Sequence, residues 1–117
     1  MSQQTLAPFD LPVATVAFEA ASFVAQPLTT HLVDTTNGAV TASLPDASTM
    51  VGRALVIYLQ VHSSSVTIAQ LSGQQINASD SNLTLSSANT AYTLLSVPNA
   101  ASLNGAQWLA LSGLLAQ

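Results

Sequence analysis

The residues of this chain with any capacity for acid, base or nucleophilic chemistry are His31 and His62, five carboxylates (Asp10, Glu19, Asp34, Asp46 and Asp80) and many serines. Their spacing offers little. His31 and Asp34 stand three apart in a stretch, "LTTHLVD", that reads as a strand. Side chains alternate across a strand with period two, so the pair points to opposite faces and makes no dyad. A metal needs three or four converging ligands, and two histidines with no cysteine do not supply them. His31 and His62 read as hydrogen-bonded structural residues. No serine sits in a G-x-S-x-G nucleophile elbow, the acids lack a paired-carboxylate spacing, and no glycine-rich phosphate loop is present. The expectation is a protein that is not an enzyme and holds neither metal nor cofactor.

Trp108, the lone tryptophan, falls in "AQWLALSG" near the end of the chain. Its large apolar area reads as core, with a sugar-stacking platform as the alternative. Tyr58 and Tyr92 add amphipathic rings, but three dispersed aromatics do not define a carbohydrate cleft. "NAS" at 77–79 and "NLT" at 82–84 match the N-glycosylation pattern. No secretory signal accompanies them, so they read as ordinary Asn- and Ser-rich turns.

Composition is the stronger signal. Only 5% of the 117 residues are charged, against about 25% in an ordinary soluble domain. Hydrophobic residues reach 49%, and Arg53 is the single basic residue. A net charge of −4 argues against nucleic acid and anionic bilayers, both bound through clustered Lys and Arg. The amino terminus shows no basic n-region followed by an unbroken apolar stretch, so no export signal is expected. Apolar runs stop short of the 18 or more residues that span a bilayer, so no membrane insertion is expected either. The hydrophobicity must be buried in protein.

Short β-rich runs divided by turn signals follow from about Leu28. Leu28 to Asp34 reads as a strand, "TTNG" at 35–38 as a tight turn, and Ala39 to Leu44 as the return strand. Pro45 ends that strand because it has no N–H to donate. Arg53 to His62 is the longest strand candidate, and its nearly continuous apolar character fits burial on both faces. "VTIAQL", Leu83 to Leu85, Ala91 to Val97 and Ala106 to Ser112 make about seven strands in all. No helical periodicity competes. The fold class expected is all-β: a single small antiparallel β-sandwich or barrel, jelly-roll-like, over residues 27–117.

Residues 1–26 differ in character. Pro8, Pro12 and Pro27 bracket a segment holding Phe9, Phe18 and Phe23, all the phenylalanines of the chain. Two readings stand: a strand pairing with the domain's own edge, or an extended arm that docks on another subunit or anchors the protein. Each large apolar side chain buried that way adds about 1.5 to 3 kcal/mol.

The order "VDTTNGAVTASLPDASTMVGRALVIYLQ", "SSVTIAQLSGQQI", "LTLSSANTAYTLLSV" and "QWLALSG" resembles a small all-β domain of tailed-bacteriophage virion proteins, found in head fibres, capsid decoration proteins and tail fibres. The resemblance covers roughly Leu32 to Gly113. It implies a homotrimer, which would explain the low charge, since obligate interfaces are more apolar than ordinary surface. It further implies a location on the capsid exterior of a virion assembled in the host bacterial cytoplasm. The partners it implies are two further copies of the chain and the phage major capsid protein. A chain of this length suits a knob on a shell better than a tail fibre. A capsid decoration or short head-fibre protein is therefore the expected function, with a tail-fibre adaptor or a module binding host surface glycan as the alternative.

Overall fold

The computed structural model describes residues 15–112. Nine strands fall within them: β1 (Thr15–Glu19), β2 (Phe23–Val24), β3 (Thr29–Asp34), β4 (Val40–Ser43), β5 (Ala54–Val61), β6 (Val66–Ala69), β7 (Leu83–Leu85), β8 (Thr90–Pro98) and β9 (Ala106–Ser112). Short 3-10 turns at Ala47–Thr49 and Leu103–Gly105 are the helical elements of this span. The all-β expectation holds.

Two sheets divide the strands. Sheet A runs in the order β1-β3-β5-β8-β9 and sheet B in the order β2-β4-β6-β7. The first six strands alternate between the sheets, so each pairs in parallel with the strand two before or after it. Antiparallel pairing is confined to β5–β8–β9 and β6–β7. Both sheets are therefore mixed, which corrects the antiparallel, jelly-roll-like arrangement expected from the sequence.

The turn at 35–38 shows why. Thr35 accepts from the N–H of Gly38, whose φ of +128° suits glycine. The chain does reverse there, yet β3 lies in sheet A and β4 in sheet B, so the segment arches from one layer to the other. Alternating burial fixes which face of a strand turns inward, and β3 and β4 both show it. It does not specify which neighbour receives the backbone hydrogen bonds. A buried threonine locks the arch: the Thr35 hydroxyl accepts from the N–H groups of Ser63 and Ser64 and lies 3.0 Å and 2.9 Å from the Val61 and Ser64 carbonyls that take its proton.

One buried cluster draws on both sheets. Val33, Leu55, Ile57, Leu59, Leu94 and Trp108 come from sheet A, and Val40, Ala42, Val66, Ile68 and Leu85 from sheet B. β5 sits at the middle of sheet A with Ala54, Leu55, Val56 and Ile57 all buried, which is the two-faced burial its apolar run suggested. Residues 15–26 pair with the body rather than standing apart, because β1 borders β3 and β2 borders β4.

Candidate functional site

The registers of sheet A set its outward side chains in rows. Leu55, Ile57 and Leu59 of β5 join the core, so Ala54, Val56 and Tyr58 face out. Across the strands Val56 lines up with Thr30 and Val16 on one side and with Thr93 and Leu111 on the other. A second row runs Phe18, Leu32, Tyr58, Ala91, and a third Ala54, Leu95, Leu109. None of these twelve side chains carries a charge.

At the β1 edge of this face Val16 is 69% and Phe18 62% exposed. At its centre Val56 and Thr93 are buried, and the Thr93 hydroxyl lacks a hydrogen-bond partner among the described residues. A buried unpaired hydroxyl costs on the order of 1 to 3 kcal/mol. Twelve positions of about 4.8 Å by 6.8 Å give a footprint of about 400 Å², of which Ala54, Val56 and Thr93 are already buried in the single chain. That is the same order as the roughly 800 Å² each partner contributes to a standard protein interface.

Sheet B presents a contrasting exterior. Thr41, Thr67 and Thr84 stand in one cross-strand row, with Ser43 and Ala69 beside it. Hydroxyls there hydrogen-bond water without any charge. Val24 of β2, 58% exposed, extends the Ser43 and Ala69 row, so each sheet exposes apolar side chains at its first strand, and on sheet A these are Val16 and Phe18.

The aromatic residues of residues 1–26 separate. Phe9 lies outside the described residues, Phe18 belongs to the outer face of sheet A, and Phe23 packs partly buried against the core. The Phe23 ring lies 4.7 Å, centroid to centroid, from that of His31, tilted by 34°. His31 is itself buried, and both its nitrogens are engaged: Nδ1 contacts Glu19 Oε2 at 2.9 Å, and Nε2 accepts from the Gln26 backbone N–H at 3.0 Å. An acceptor at Nε2 places the proton of the neutral ring on Nδ1, so Glu19 receives it. With neither nitrogen free, His31 braces β1 and β2 against β3 and has no lone pair for a substrate or metal. His62 is exposed beyond the end of β5. Asp34 faces Thr36, whose hydroxyl and then N–H hold its carboxyl below the usual aspartate range.

Trp108 is core. Its side chain is 1% exposed, and its indole N–H donates to the Pro45 carbonyl at 3.0 Å, so neither ring face is open to a sugar. The Pro45 loop it grips is organised by Asp46, which pattern reading did not single out. The Asp46 carboxylate accepts from the Gln74 side chain, the Ser48 hydroxyl and N–H, and the Asn104 side chain. These donors, Gln74 foremost and Ser48 next, lower its pKa from 3.8 to about 2. Gln74 is fully buried; it also accepts from the Ala47 N–H and donates to the Leu103 carbonyl. Pro45 marked the end of a strand, but nothing in the sequence tied the Asp46 beside it to a glutamine 28 residues on.

Among the described residues no group of three or more His, Cys, Asp or Glu side chains gathers as a metal would require, and no helix is long and apolar enough to cross a membrane. No family model and no curated protein matches the chain.

Proposed function

We propose that the protein is a structural component of a bacteriophage virion, a capsid decoration or short head-fibre protein that forms a homotrimer on the outside of the shell. The observation that carries this reading is the outer face of sheet A, with three rows of uncharged, mostly apolar side chains spanning five strands. Such a face, with Val16 and Phe18 exposed at its β1 edge, suits contact with its own copies, because apolar surface associates without needing complementary charge. Three copies around an axis would each cover the face of the next, and closed rings of this kind are common among homo-oligomers. The resemblance of Leu32 to Gly113 to virion β-domains supports the same assembly.

In this reading the two sheets pack as a sandwich, supported by the single buried cluster they share. Residues 15–24 serve the domain edge and lend Val16 and Phe18 to the trimer face. Anchoring to the major capsid protein then falls to the segment ahead of Thr15, which carries Phe9 and lies outside the described residues. The test is to image purified particles of the encoding phage labelled with antibody against this chain. The proposal expects many copies distributed over the head. Particles without the protein, or label restricted to the tail tip, overturn it.

A further inference from the structure

We infer that the open edge of β1 pairs with the β1 edge of a second copy of this chain, antiparallel and centred on Ala17. The Thr15 N–H donates to the Leu28 carbonyl at 3.1 Å, which turns the backbone groups of Thr15, Ala17 and Glu19 toward β3. Successive residues of a strand direct these groups to opposite sides, so the N–H and C=O of Val16 and Phe18 point off the sheet. Among the described residues none bonds to them, and β1 is the outermost strand on that side of sheet A. The opposite edge is capped. There the Trp108 N–H donates to the Gln75 carbonyl at 3.0 Å, its carbonyl accepts from the Asn77 N–H at 2.9 Å, and the Asn77 side chain accepts from the Ala110 N–H at 2.9 Å. Bare edges are otherwise blunted by lysine, proline or a bulge. β1 has none of these, and its one charge, Glu19, is turned to His31.

Such an edge is satisfied by another strand, and β1 is its own complement. With Ala17 opposite Ala17 of the second copy, Val16 faces Phe18 and Phe18 faces Val16. These are the pairs of an antiparallel ladder that exchange two hydrogen bonds each, so every outward backbone group of both residues is used. Val16 and Phe18 are also the most exposed large apolar residues described. Paired in this way they stand side by side as an aromatic and a β-branched side chain, a favoured cross-strand combination. Glu19 falls opposite Thr15, so no two carboxylates meet. The edge bonds lie in the plane of the sheet, whereas the proposed trimer contact covers its outer face, so the two do not compete. The pairing goes beyond the trimer reading and does not rest on it. Two such residue pairs make a small contact, which forms at about millimolar concentration, as among copies held side by side on a common support.

The chain has no cysteine, so a single introduced one reports the register. Facing residues of a non-hydrogen-bonded antiparallel pair lie about 4.5 Å apart between Cα atoms, within disulfide reach. The experiment is air oxidation of the full chain at about 1 mM, followed on a denaturing gel. Ala17→Cys should form covalent pairs of 12.0 kDa chains about tenfold faster than Thr15→Cys or Val16→Cys. Exposure alone gives the reverse order, because Thr15 and Val16 are exposed and Ala17 is half-buried. On the unsubstituted chain, amide exchange at Val16 and Phe18 should slow about tenfold between about 50 μM and 1 mM, while that at Trp108 is unchanged. The inference is overturned if Ala17→Cys cross-links no faster than Val16→Cys, or if exchange at Val16 and Phe18 does not respond to concentration. Constant protection would assign the edge to residues ahead of Thr15, and constant fast exchange would leave it without a strand. Sedimentation at the lower concentration reads the trimer separately, so either idea can fail alone.

Discussion

His31 and Glu19 meet at 2.9 Å across the β1–β3 pair, and the imidazole in turn receives the Gln26 N–H. This chain of bonds adds a side-chain tie to the backbone pairing that joins β1 to β3 and β2 to β4. Removing the carboxylate leaves a buried Nδ1–H without a partner. Glu19→Ala should lower unfolding free energy by about 1 to 3 kcal/mol, whereas Glu19→Gln, whose amide oxygen still accepts, should recover most of the loss. Urea unfolding of the three proteins measures it; equal stability of wild type and the alanine variant would show that the contact holds nothing.

A second expectation concerns backbone strain. Asn77 and Ala78 form the tip of a tight turn closed by reciprocal hydrogen bonds between Ile76 and Ser79, and both tip residues are left-handed, with φ of 53° and 59°. Turns of this kind favour Asn-Gly. Alanine at such a φ costs about 1 to 2 kcal/mol, partly offset by the greater chain entropy glycine brings to the unfolded state. Ala78→Gly should raise unfolding free energy by about 0.5 to 1 kcal/mol. A lower melting temperature in that variant would contradict the turn geometry.

Asp46 makes stability depend on acid. Its pKa is lowered to about 2 by the Gln74 and Ser48 donors, so the folded state favours the ionised form. A depressed carboxyl contributes stability that is present above the unfolded pKa near 3.8 and is lost as pH falls toward 2. The carboxylate remains solvated, so the contribution is on the order of 1 kcal/mol after screening. Thermal melts from pH 6 to pH 2 should show the wild type losing more stability than Asp46→Asn between pH 4 and pH 2. Parallel curves would refute the role of this hub.

Much of the strand layout was legible because alternation leaves a direct imprint: Thr29–Asp34 and Val66–Ala69 bury every second residue. β5 was legible as a double-faced strand, since an unbroken apolar run has no wet side to offer. The sheet assignment was not. A Thr-Thr-Asn-Gly turn is the same chemistry whether the chain folds back beside itself or arches to the opposite layer. β1 and β2 were hidden because no turn signal separates Pro12 from Pro27, and the break between them at Ala20 to Ser22 carries neither glycine nor proline. The outer face of sheet A was visible only as a deficit of charge. Its location needed the cross-strand register, which aligns Val16, Val56 and Leu111 from segments nearly a hundred residues apart.

In the proposed trimer, copies of this chain seal one another's sheet A faces. Sedimentation equilibrium of the full chain, with Leu95→Glu as the companion variant, tests it most directly. The wild type should sediment with the mass of three 12.0 kDa chains at about 10 to 100 μM, and as a single folded chain once a carboxylate interrupts the face. A wild type that sediments as one 12.0 kDa chain over that range, or a Leu95→Glu protein that remains trimeric, would contradict it.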